Sequence, residues 1–82
     1  MAWTIEYTRA AGKSVAKLDA TSRRRIRLFL EERVAASDDP RAAGKALSGP
    51  LATFWSYRVG DFRVVCEVQD RRVVVLVVTV GN

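Results

Sequence analysis

The chain opens with apolar residues at a period of two. Trp3, Ile5 and Tyr7 alternate with Thr4 and Glu6, which predicts a short strand with one buried face. The period then lengthens. Thr8 can cap a helix in which Ala11, Val15 and Leu18 stand at i, i+4 and i+7. Asp19 or Thr21 can start a second helix, in which Ile26, Phe29, Leu30 and Val34 form an apolar stripe while Arg23, Arg24, Arg25, Arg27, Glu31 and Glu32 mostly face water. Asp38-Asp39-Pro40 ends it, and the short link between the two predicts an antiparallel helical hairpin. From Arg41 to Thr53 the chain is broken by Gly44, Gly49 and Pro50, so a loop with room for one helical turn is expected. Three strands follow, at about 54–59, 62–69 and 72–80. The last is apolar on both faces, which specifies its register weakly, and a two-residue turn at Asp70-Arg71 would pair Val64 with Val77 and Arg63 with Val78. The order β-α-α-β-β-β predicts an α+β fold, a helical hairpin packed on a largely antiparallel four-stranded sheet, as one domain over residues 1–82.

The hairpin between the first two of those late strands is the best specified part of the chain. Gly60-Asp61 separates two alternating runs, and a glycine at the first central position suits a type II′ two-residue loop. That loop pairs Val59 with Phe62, Arg58 with Arg63, Tyr57 with Val64, Ser56 with Val65 and Trp55 with Cys66. Strand alternation then puts Trp55, Tyr57, Val59, Phe62, Val64 and Cys66 on a core face, and Ser56, Arg58, Arg63 and Val65 on the other. Two positive charges directly opposite each other destabilise a strand pair by themselves. An anionic partner would offset that cost.

Composition points the same way. Fourteen Lys and Arg against nine Asp and Glu give a formal charge of +5, which suits a polyanionic partner such as nucleic acid or an acidic protein and also serves solubility. The arginines on the second helix read as a solvated face or as contacts to RNA phosphates. There is no histidine, so an imidazole acid–base pair is absent. The single Cys66 can form no disulfide within the chain and has no histidine to activate it. No leader opens the sequence, and the run from Val73 to Val80 is too short to cross a bilayer. A cytoplasmic protein that does not engage membranes, with no metal and no cofactor, is expected.

Four segments in order resemble the RelE family of bacterial toxins, within the RelE/ParE superfamily. They are the opening strand Trp3 to Tyr7 with its helical hairpin, Asp39-Pro40-Arg41 leading to Gly44-Lys45-Ala46-Leu47-Ser48-Gly49, the core from Phe54 to Arg63, and the closing Val77-Val78-Thr79-Val80-Gly81-Asn82. The resemblance implies the RelE-like microbial RNase fold and the toxin part of a type II toxin-antitoxin system. It further implies a ribosome-dependent endoribonuclease that cuts mRNA and inhibits translation, with a cognate antitoxin, the ribosome and mRNA as partners and toxin–antitoxin hetero-oligomers as assemblies. By the same resemblance Arg63 and Arg58 are the catalytic residues, with Arg63 clamping the scissile phosphate, and Lys45, Arg58 and Arg63 bind RNA. Relatives often carry Lys or Arg at the position of Ser56, and continue past that of Gly81-Asn82 with basic residues and a Tyr, so weakened or lost cleavage is implied for this chain. The ParE branch, which poisons DNA gyrase, has a longer helical hairpin; the short hairpin and the element Lys45 to Gly49 look like the RelE branch. The alternatives are a ParE-like gyrase inhibitor and an inactive relative that only binds antitoxin.

Overall fold

Side-chain caps start both helices. In the computed structural model, which describes residues 2–47 and 53–82, the Thr8 hydroxyl accepts the Ala11 N–H at 3.1 Å, and the Asp19 carboxylate accepts the Ser22 N–H at 3.2 Å and the Ser22 hydroxyl at 2.6 Å. Each satisfies a first-turn donor that the helix itself leaves unpaired. The chain runs β1 (Thr4–Tyr7), α1 (Arg9–Ala16), α2 (Ala20–Phe29), a π-helical continuation (Leu30–Ala35), a 3-10 turn (Pro40–Ala43), β2 (Lys45–Ala46), β3 (Phe54–Val59), β4 (Phe62–Gln69) and β5 (Val74–Gly81).

Among the described residues the sheet has five strands in the order β1-β5-β4-β3-β2, with β1 parallel to β5 and the other pairs antiparallel. The α+β class is as expected, but the count of four strands is corrected to five. The extra strand, β2, lies in the segment read as a loop, where Lys45 pairs with Ser56 and Ala46 with Trp55. Two residues are too few to show a period, so no pattern in the sequence announces it. The single helical turn expected in that segment is the Pro40–Ala43 turn. The Ser48-Gly49 end of the lysine-leucine-glycine element lies outside the described residues.

The β3–β4 hairpin has the predicted register at all five pairs from Val59↔Phe62 to Trp55↔Cys66. Gly60 takes φ 60° while Asp61 stays outside the left-handed region, as a type II′ turn requires. The β4–β5 register is corrected. Val64 pairs with Val80 and Arg63 with Gly81, not with Val77 and Val78. Part of the difference is the loop, which runs from Asp70 to Val73 before Gln69↔Val74 closes it, with the Val73 N–H donating to the Asp70 carbonyl at 3.2 Å. The rest is a bulge. Val65 pairs with Thr79 but Cys66 with Val77, which leaves Val78 as the additional residue.

One core lies between the helices and the sheet. Ile26, Leu30 and Val34 are fully buried against Tyr57, Val64, Cys66, Val75 and Val77, and each such aliphatic contributes about 1.5–3 kcal/mol relative to exposure. Trp3 and Ile5 pack against the same cluster, whereas Tyr7, expected on the buried face, is 39% exposed. It ends an edge strand, with a neighbour on one side only. Among the described residues no helix is long and apolar enough to cross a membrane. The opposite sheet face leaves Arg58, Arg63 and Thr79 exposed.

Candidate nucleic-acid interface

The Gly60-Asp61 turn sets Arg58 directly opposite Arg63 on the open face of the sheet. β2 brings the third cation. Because Lys45 pairs with Ser56, it shares that face, one step along β3 from Arg58. Two adjoining clefts result, and both are lined by Arg58 and Arg63. One, of about 330 Å³, extends towards Asp61, Val65, Thr79 and Asn82. The other, of about 280 Å³, extends over Ala42, Ala43 and Gly44 to Lys45 and Ser56. Among the described residues none of the three cations is in an ion pair. The face therefore presents concentrated positive charge that no ion pair among the described residues neutralises, which is what a phosphodiester needs.

The position of Lys45 is secured from below. The Tyr57 side chain is fully buried, yet its hydroxyl donates to the Pro40 carbonyl at 2.8 Å, tying the 3-10 turn to β3. Burial holds the Tyr57 hydroxyl above the usual phenol range, so it remains a donor. Gly44 packs against this ring: a Cβ there would stand 2.8 Å from both Tyr57 Cε2 and the Ser56 carbonyl oxygen. On the far side of the turn the Arg41 guanidinium grips the Asp70 carboxylate through bonds of 3.2 and 2.6 Å and lies over the Trp55 ring, 5.9 Å from its centroid. That hydrogen bond holds the Asp70 carboxyl below its ordinary value.

All three residues expected to contact RNA, Lys45, Arg58 and Arg63, line the clefts. Trp55 and Tyr57 face the core, as expected, rather than offering a stacking platform. Cys66 is buried, and desolvation pushes its thiol up to about 12, so it is an apolar filler. Arg23, Arg24, Arg25 and Arg27 are exposed on α2, outside the clefts; the Arg25 guanidinium lies beside Gly60, on whose Cβ position it encroaches to 2.7 Å. Sequence reasoning passed over Asp61 and Thr79. Asp61 read as a turn residue alone, and Thr79 reaches the site only because the bulge at Val78 reverses the alternation of β5.

The model of the ParE toxin family of type II toxin-antitoxin systems, parDE, matches residues 5–82. The chain belongs to this family, within the RelE/ParE superfamily. Solved toxins share its architecture. A double mutant of the E. coli toxin RelE in the free state is 30% identical with a TM-score of 0.82, covering 100% of this chain and 84% of that one. RelBE2, a toxin-antitoxin complex from Mycobacterium tuberculosis, contributes a chain that is 23% identical with a TM-score of 0.88, covering 100% and 92%. The archaeal RelE-RelB complex from Pyrococcus horikoshii contributes one that is 24% identical with a TM-score of 0.70, covering 99% and 94%. The latter two likenesses are of fold. A search of curated proteins finds no match.

Proposed function

We propose that this toxin is a ribosome-dependent mRNA endoribonuclease that inhibits translation, and that an antitoxin protein neutralises it. The observation that carries the reading is the convergence of Lys45, Arg58 and Arg63 on one open sheet face, none of them in an ion pair among the described residues. Cleavage by an adjacent 2′-hydroxyl forms a bond from that oxygen to phosphorus, its proton passing to water, and breaks the bond to the 5′-oxygen, which takes a proton from water as it leaves, through a state with extra negative charge on the phosphoryl oxygens. Guanidinium groups stay protonated and bind such oxygens bidentately, so Arg63 and Arg58 act by charge and geometry. Lys45 orients the adjoining backbone. The test is primer extension on mRNA bound to programmed ribosomes. Arg63→Ala is expected to cut about 10²–10³ more slowly than the parent chain. Equal cleavage by the two would remove Arg63 from the chemistry.

A second reading, inhibition of DNA gyrase, is favoured by the branch of the matching family model, which is ParE. A supercoiling assay separates the two, since a gyrase poison arrests supercoiling and leaves ribosome-bound mRNA intact.

A further inference from the structure

We infer that the two clefts flanking the arginine pair are unequal subsites for single-stranded RNA: the Lys45 side takes sugar-phosphate backbone, and the Asp61 side takes a base that carries an exocyclic amine. This rests on the RNA reading above and adds to it a sequence preference and the residue that sets it.

Because both clefts share Arg58 and Arg63, a phosphate seated on the arginines has one cleft on either side, and the nucleosides it joins extend into them. The linings differ in charge. The cleft of about 280 Å³ adds Lys45, the Ser56 strand position and the small residues Ala42 to Gly44, with no carboxylate. A further phosphate is stabilised there. The cleft of about 330 Å³ adds the Asp61 carboxylate and the Thr79 hydroxyl over the apolar side chain of Val65. A carboxylate repels a second phosphate but accepts hydrogen bonds, and an apolar floor suits the face of a base. Aspartate accepts from the N4 amine of cytosine by this chemistry, and the amine of adenine meets the same requirement; uracil has no exocyclic donor.

Asp61 is well placed in its turn on conformational grounds alone, since aspartate suits such positions. Were it there to neutralise the arginines, it would be expected to pair with one of them. Among the described residues its carboxylate is in no ion pair, although it lines the same cleft as both. Its acceptor oxygens are left for a ligand. Thr79 stands on the same floor through the Val65↔Thr79 pairing that the bulge creates, and its hydroxyl can donate or accept.

The experiment is fluorescence anisotropy on the full chain with labelled 2′-O-methyl oligonucleotides, which cannot be cleaved through the 2′-oxygen. The probes are seven-residue runs of cytidine, adenosine and uridine. Cytidine and adenosine runs are expected to bind about tenfold more tightly than uridine. Asp61→Ala should collapse that ratio, since it removes the negative charge and the acceptor together; Asp61→Asn, which keeps an acceptor oxygen but loses the charge and gains a donor that the uracil carbonyl can accept, should narrow it, chiefly by raising uridine binding. Lys45→Ala should weaken all three alike and leave the ratio unchanged. Equal affinity of the parent chain for the three runs overturns the inference, as does a preference that survives both Asp61 substitutions, and in either case RNA binding itself stands. Absence of binding to any run would overturn the RNA reading and this inference with it.

Discussion

Gly44 shows how one residue without a side chain governs a charge elsewhere. Its φ of −130° is open to any residue, so conformational freedom is not the reason for glycine here. The reason is proximity, because an added methyl would stand 2.8 Å from the Ser56 carbonyl oxygen and from the Tyr57 ring. Neither can yield easily: the oxygen belongs to a paired strand, and the ring is fully buried with its hydroxyl bonded to Pro40. Gly44→Ala must therefore push β2 outwards or compress the core. We expect it to cost about 1–3 kcal/mol in a urea titration, in the range of other overpacked sites, and to weaken RNA binding by displacing Lys45. Unchanged stability together with unchanged binding would show that the turn relaxes freely. Tyr57 was legible in the sequence as a core residue from its strand parity, but its bond to Pro40 was not. That contact spans 17 positions and depends on where a loop returns, about which local pattern is silent.

At the level of elements, the strands differ in how openly their sequences declare them. The β3–β4 hairpin was readable because its information is local: Gly60 supplies the positive φ that a type II′ turn demands, and alternation on either side fixes the faces. The β4–β5 connection carries no such sign. Its residue in the left-handed region is Val73, at φ 55°, a β-branched residue for which that conformation is costly and which no turn rule would select. The run of valines in β5 hides the bulge as well, since a strand apolar on both faces has no alternation to break. Tertiary contacts hold this turn, with the Thr4 N–H donating to the Val73 carbonyl at 3.0 Å and Arg41 gripping Asp70. The Arg41–Asp70 bridge is accordingly a clip between the 3-10 turn and the β4–β5 turn. Because the folded Asp70 carboxyl titrates below its ordinary value of 3.8, the clip's contribution is fully present above that value and is lost as pH falls through the lower folded value. Asp70→Asn should lower Tm at neutral pH, and the gap to the parent chain should close in acid and narrow at high salt. A gap independent of both pH and salt would assign the effect to packing of the turn.

For the molecule as a whole, the arrangement separates two tasks between two faces of one sheet. One face spends its apolar residues on a core with α1 and α2, and the other carries cations that form no ion pair among the described residues. The net charge of +5 alone would draw any polyanion, and such binding weakens steeply with salt whether or not a site exists. What distinguishes a site is how the salt dependence is divided among residues. For single-stranded RNA each phosphate neutralised contributes about −0.7 to the slope of log K against log salt concentration. If Lys45, Arg58 and Arg63 act as one surface, removing any one of them to alanine should reduce that slope by about 0.7 and weaken binding most at low salt. Removing Arg24, exposed on α2 away from the clefts, should change affinity little and leave the slope near that of the parent chain. The measurement is anisotropy with an uncleavable cytidine run across a salt series. Equal losses of slope for Arg24→Ala and Arg63→Ala would mean that RNA spreads over the whole basic surface, and the open sheet face would then hold no privileged place in binding.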